Sequence, residues 1–360
     1  MPRLSIAFLI LTFLMRLSAV AHAQDTPFEA VPVFGEALQA ELSPDGRLVA
    51  TYENSVALND EVNSELLPIR IYDLSTGEEV AALEGQLDYA VDVAFSPDGE
   101  TLASLHWIGY LNLWDVATGD LLNQIPITQG GGVRVEFLPD GRSVVLIQPQ
   151  PPGVQVWDTD TGAMTRILYN HYENLQEYRD AVQNVPENAA AYALSPDGTT
   201  VALATSHGRI WLWNLETGEP TLAVNLDEEF PTFPIRNLRF TADGARLVYT
   251  NTDTESIVAL DLATLEPMVE VIVDDLRIPY LAISPDGDTV VWIGGEERDR
   301  LYTLDLDEPE SQRALEGILE GTPTSPPVLL FTPDGSRVIV AGFRSEDDRR
   351  QSYLYVVPVD

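Results

Sequence analysis

Metal ligation or acid–base chemistry in this chain would have to come from His106, His171 and His207, or from the acidic runs Asp227-Glu228-Glu229, Asp274-Asp275 and Glu346-Asp347-Asp348. The three histidines are 65 and 36 residues apart, so none pairs with another at the three- to five-residue spacing that puts two ligands on one zinc ion. Each is read as a turn residue. The acidic runs offer the several oxygen ligands that calcium takes, but in so acidic a chain such runs also arise by composition alone. There is no Gly-x-Ser-x-Gly elbow, no phosphate loop, no His-Glu-x-x-His and no cysteine. The expectation is therefore no catalytic residue and no cofactor. The six tryptophans, Trp107, Trp114, Trp157, Trp211, Trp213 and Trp292, fall on strands or strand ends and are read as packing residues.

Charge narrows the partners. The 57 acidic against 20 basic residues leave a net charge of −37, a field that repels phosphate backbones and anionic lipid headgroups. Nucleic acid and direct membrane binding are disfavoured on that ground. Arg3, the apolar run Leu4 to Met15 and the small-x-small site Ala21-His22-Ala23 read as a signal peptide over residues 1–23. The mature chain, 24–360, is then expected to be exported, to the periplasm or beyond, with no integral membrane segment, and to be monomeric. With no cysteine, its stability comes from packing alone.

The elements that position these residues are set by a repeated turn. A hydrophobic residue followed by Ser/Thr-Pro-Asp-Gly or a close variant ends at Gly46, Gly99, Gly141, Gly198, Gly244, Gly287 and Gly335, with successive spacings of 53, 42, 57, 46, 43 and 48 residues. Pro presets the second turn position and Gly takes the left-handed conformation, so each copy predicts a hairpin. Seven copies at this period predict one closed repeat domain. About sixteen residues after most copies comes a second landmark: Ile71-Tyr72-Asp73, Leu113-Trp114-Asp115, Val156-Trp157-Asp158, Leu212-Trp213-Asn214, Ala259-Leu260-Asp261 and Thr303-Leu304-Asp305. Four run on into Thr-Gly, at Thr76-Gly77, Thr118-Gly119, Thr161-Gly162 and Thr217-Gly218.

In these motifs the chain, over residues 27–360, resembles the WD-repeat β-propeller family. The resemblance implies an all-β, seven-bladed propeller of four-stranded antiparallel blades, strands a to d running outward from a central channel. The final repeat stops at its third strand, Tyr353 to Val359, while an extra strand, Phe28 to Phe34, precedes the first inner strand. Joining the two closes the ring. Family members often carry a Gly-His pair and a b–c turn Asp that bond with the Trp; here only Glu84-Gly85-Gln86 stands near that place, so the resemblance implies that the network is missing.

Insertions fall in the b–c and d–a connections, which emerge on one face, whereas the a–b and c–d turns stay short except after blade 6. Variation on one face of a rigid scaffold predicts a binding face. The longest insertion places Leu175, Tyr178 and Val182 at helical spacing, predicting a short helix over the channel mouth. The residues expected to meet a protein or peptide partner are Tyr172, Leu175, Tyr178, Arg179, Phe230, Phe233, Phe343 and Arg344. The position before each turn hydrophobe in strand a reads Glu41, Ala94, Glu136, Ala193, Arg239, Ala282 and Leu330, so charges line the channel, met either by water or by neighbours such as Arg134. The functional expectation is an exported, non-enzymatic scaffold for a protein or peptide partner. Its alternative is a calcium-assisted propeller hydrolase or lyase with a site at the channel mouth.

Overall fold

The computed structural model describes residues 29–31, 38–53, 68–127, 134–149, 152–169, 188–226, 234–273, 281–294, 300–315, 328–346 and 349–359. Their strands form seven antiparallel sheets of four, the seven-bladed propeller the repeats predict. Six blades use four consecutive strands. The seventh has the order Glu29–Val31, Arg349–Pro358, Arg337–Glu346, Val328–Phe331, so the N-terminal strand supplies its outer edge, with Ala30 opposite Tyr355.

Burial grades outward within a blade. In blade 2, strand b (Thr101–His106) is buried at every residue but its first, while strand d (Leu121–Pro126) is mostly open. Strands buried on both faces have no reason to alternate polar and apolar residues, and Val144 to Ile147 and Val338 to Ala341 do not. The buried side chains sort into seven clusters, each between adjacent blades; Leu102 and Trp114 of blade 2, for example, pack with Ile71 and Leu83 of blade 1. One of the clusters joins Ile339 and Leu354 of blade 7 to Val49 and Tyr72 of blade 1 and closes the ring.

The repeated turns are built by their own side chains. Ser96 Oγ donates to Asp98 Oδ1 at 2.6 Å and accepts Thr101 N–H at 2.9 Å, and Gly99 takes φ +74°. The serine and backbone donors hold the Asp98 carboxyl below its usual pKa, so the turn keeps its charge. Blade 3, with Leu138 in the serine position, takes the donor from Ser143 instead, 2.8 Å from Asp140 Oδ2. In the c–d turns Asp115 Oδ1 accepts the Ala117 and Thr118 amides at 3.0 and 2.8 Å, which is why Asp follows Trp. Blade 5 puts Leu265 at φ +58° where four other blades have Gly.

The turn glycines also touch the neighbouring blade. A Cβ on Gly46 would lie 2.5 Å from Cδ of Pro333, and most of the other Asp-Gly turns likewise abut the turn proline of the preceding blade. Gly46→Ala therefore adds a left-handed strain to a clash at the ring's closure, and is expected to lower stability by about 1–3 kcal/mol. Chemical denaturation, with urea midpoints compared at constant slope, measures it.

Candidate protein-docking face

The blade 1 to blade 2 connection, residues 84–89, is the d–a connection described from end to end, and it is hydrogen-bonded and stacked to the b–c turn of blade 2, residues 107–109. Leu87, Trp107 and Ile108 stand 61%, 58% and 55% exposed there. Tyr89 stacks on Trp107 at 6.1 Å between ring centroids and 20° between planes. The other large exposed apolar residues among the described ones, Val80, Leu121, Leu122, Leu222, Met268 and Ile272, are spread over the outer strands of four blades. A gathered patch marks an interaction site where scattered exposure does not.

Hydrogen bonds lock the two loops together. Ile108 N–H donates to Asp88 Oδ2 at 3.0 Å, Trp107 N–H to Tyr89 O at 3.4 Å, and Ile127 N–H to Gly109 O at 2.7 Å. Gly109 has φ +87° and a Cβ there would meet Ile127 O at 2.9 Å, so only glycine fits. Beneath the loops His106, 1% exposed, lies 2.8 Å through Nδ1 from Asp88 O. A carbonyl only accepts, which puts the proton on Nδ1 and leaves Nε2 to accept from Ser104 Oγ at 2.8 Å and Asn112 Nδ2 at 3.2 Å. Trp114 Nε1 completes the chain by donating to Ser104 Oγ at 2.8 Å. Burial pushes the His106 pKa below its ordinary value, consistent with a neutral ring.

This is a different set from the one the resemblance implies, with no b–c turn Asp and with its histidine at the end of strand b, and it corrects one expectation: His106 is a buried frame residue and not a turn residue. Blade 3 satisfies its tryptophan differently, Trp157 Nε1 donating to Gln155 Oε1 at 2.9 Å. In blade 4 Leu203 replaces the serine, and Trp213 Nε1 has no partner among the described residues. His207 is also buried and meets Ser206 Oγ at 3.2 Å. Trp107 is likewise corrected, from a packing residue to an exposed one. A signal was present: the equivalent turn in blade 4 reads Ser206-His207-Gly208, so Trp107-Ile108-Gly109 puts two large apolar residues where the repeat elsewhere is polar.

The channel carries the second cluster of charge. Asp92 in strand a of blade 2 is spent on its neighbours: Oδ1 accepts from Arg134 Nη1 at 2.9 Å and from Tyr52 OH at 3.1 Å, and Oδ2 from Val135 N–H at 2.8 Å. Burial raises the Asp92 pKa, and Arg134 pulls it back only in part. Glu41 and Glu136, half-buried, accept no hydrogen bond among the described residues, and the guanidiniums of Arg239 and, more weakly, Arg134 act on both. Burial first, then the charges of Asp92 and Glu136, pushes Glu41 up to about 8; burial pushes Glu136 up to about 7 against the pull of Arg239. Asp92 is thus met by an interblade ion pair, while Glu41 and Glu136 stay partly open to the channel.

Of the expected partner-binding residues, Tyr172, Leu175, Tyr178, Arg179, Phe230 and Phe233 lie outside the described residues, as does the helix expected around them. Phe343 and Arg344 correct the loop reading: they belong to strand b of blade 7 and pair with Ser352 and Gln351 in a long hairpin. Residues 1–28, with the expected signal peptide, are also outside, as are the acidic runs at 227–229, 274–275 and 347–348. Among the described residues no three His, Cys, Asp or Glu side chains gather to hold a metal ion, and no helix is long and apolar enough to cross a membrane.

No protein-family model matches the chain. It is similar to eukaryotic translation initiation factor 3 subunit I of Lodderomyces elongisporus, 26% identical over 248 residues that cover 65% of this chain and 67% of that protein. It is also similar to WD repeat and SOCS box-containing protein 1 of Takifugu rubripes, 24% identical over 279 residues, 71% of this chain and 58% of that one. A shorter likeness to coronin-7 of Mus musculus, 36% identical over 82 residues, covers 22% of this chain and 9% of that protein. The chain therefore spans less than two thirds of the latter two proteins. The β-propeller domain of Cps50 (Swd1) from Myceliophteria thermophila shares the fold, with a TM-score of 0.65 and 17% identity over 90% of this chain and 98% of that domain. The chain is thus a seven-bladed β-propeller whose repeats are similar to those of WD-repeat proteins.

Proposed function

We propose that the chain is an exported, non-enzymatic scaffold that binds a protein partner through the face of its b–c and d–a connections. The observation that carries this reading is the Leu87–Trp107–Ile108 patch, large apolar side chains held open to solvent by a hydrogen-bonded frame. Aromatic anchors on a rigid support lose little entropy on binding, which is what a docking surface needs. The opposite face is built mostly of short turns whose Asp side chains bond within their own hairpins. Site-specific photo-cross-linking tests the reading, with the reactive group placed at position 107 on the loop face or at the exposed position 100 on the opposite face. Adducts with a partner are expected from position 107 alone.

A further inference from the structure

We propose that the blade 2 patch takes a basic segment of a partner protein, one in which large apolar side chains stand next to Lys or Arg. This deepens the docking reading above and rests on it. The apolar part is Leu87, Trp107 and Ile108, with Tyr89 stacked against the indole. The connection that carries Leu87 holds two charged side chains, Glu84 and Asp88, both acidic, and the b–c turn 107–109 holds none.

Asp88 is placed to read a cation. Its Oδ2 is held by Ile108 N–H at 3.0 Å, which fixes the carboxylate at the patch edge, while Oδ1 accepts no hydrogen bond among the described residues. An indole that is 58% exposed adds a π-face, to which an ammonium or guanidinium is drawn. A segment with an apolar residue against Leu87 and Ile108 and a cation beside it would satisfy both features.

The other occupants are disfavoured by the same charges. A second copy brings another −37 to the interface, and nucleic acid or an anionic bilayer brings phosphates to it. A basic partner is instead steered in by the field, and its capture weakens with salt.

Isothermal titration calorimetry with three synthetic twelve-residue peptides tests the proposal: alternating Leu and Lys, alternating Leu and Glu, and alternating Ser and Lys. Each is titrated into the wild type, into a Leu87→Ser, Trp107→Ala double variant and into Leu222→Ser, which removes an exposed apolar residue from the outer rim at no change in charge. Thermal melts confirm that the variants fold. The Leu/Lys peptide is expected to bind the wild type and Leu222→Ser alike, and the patch variant at least about tenfold more weakly, with the other two peptides weaker throughout. Equal binding of Leu/Lys to the patch variant would reduce the effect to the protein's overall field and overturn the proposal. Patch-dependent binding of Leu/Glu as tight as that of Leu/Lys would overturn the basic partner and leave the docking face standing. Loss in Leu222→Ser with none in the patch variant would overturn both.

Discussion

Glu41→Gln is expected to be more stable than the wild type above pH 8, by about 2 kcal/mol, and to match it near pH 4.5. The sign follows from the raised pKa. Below the ordinary carboxylate value of 4.5 the glutamate carries a proton in both the folded and unfolded chains and costs nothing. As pH rises from there towards about 8, the unfolded chain releases its proton while the channel withholds it, so stability falls across that window. Glutamine mimics the protonated group and removes the fall. The size is set below what the full shift would give because channel solvent reaches the carboxyl and screens it. Glu136→Gln should act in the same direction over the narrower window to about 7. His106, whose pKa is lowered by burial, works the other way, losing stability as pH falls below 6.5, but it is common to all three proteins and cancels in the comparison. Urea unfolding from pH 4.5 to 9 measures the difference. A Glu41→Gln protein less stable than the wild type at pH 9 would mean that Arg239 pairs with Glu41 strongly enough to outweigh burial.

His106→Ala is expected to cost about 3 kcal/mol, since it strands Ser104 and Asn112 and leaves Asp88 O without its donor under the docking loops. The paired variants Trp114→Phe and Trp213→Phe separate hydrogen bonding from packing. Both indoles are buried in equivalent positions, but among the described residues only Trp114 donates to a partner, Ser104. Trp114→Phe should therefore be the costlier by about 1–2 kcal/mol. Denaturation midpoints give both numbers, and amide exchange at Trp107 and Ile108 should quicken in His106→Ala. Equal costs for the two tryptophans, with unchanged exchange above His106, would deprive the network of its role as the patch's frame.

Much of the architecture was legible because it is written locally. The Asp-Gly turns dictate hairpins through residues five apart, and the surplus strand at the N-terminus against the missing one at the C-terminus foretold the pairing of Ala30 with Tyr355. What was illegible is contact across blades. Nothing in Pro333 or Gly46 alone says that they touch, and although Arg134 stands out as an ion-pair candidate, nothing in the sequence names Asp92, 42 residues away, as its partner. His106 and Trp107 were misjudged by the placing of a strand end. Strand b runs through His106 and stops, which buries the imidazole and turns the indole out, the reverse of a packing tryptophan beside a turn histidine. Phe343 and Arg344 read as loop because Gly342 and the charges after it break the apolar run, whereas ladder pairing with Ser352 and Gln351 continues the strand through them.

The central claim, that function sits on the face where the repeats diverge and not on the face where they agree, is tested most directly by cross-linking in the producing cell. A photo-reactive residue replaces Trp107 on one face or Glu100 on the other, and adducts are resolved by mass. The account predicts a discrete partner adduct from position 107, diminished when Leu87 is changed to Ser, and none from position 100. A partner adduct from position 100, with position 107 silent, would contradict it.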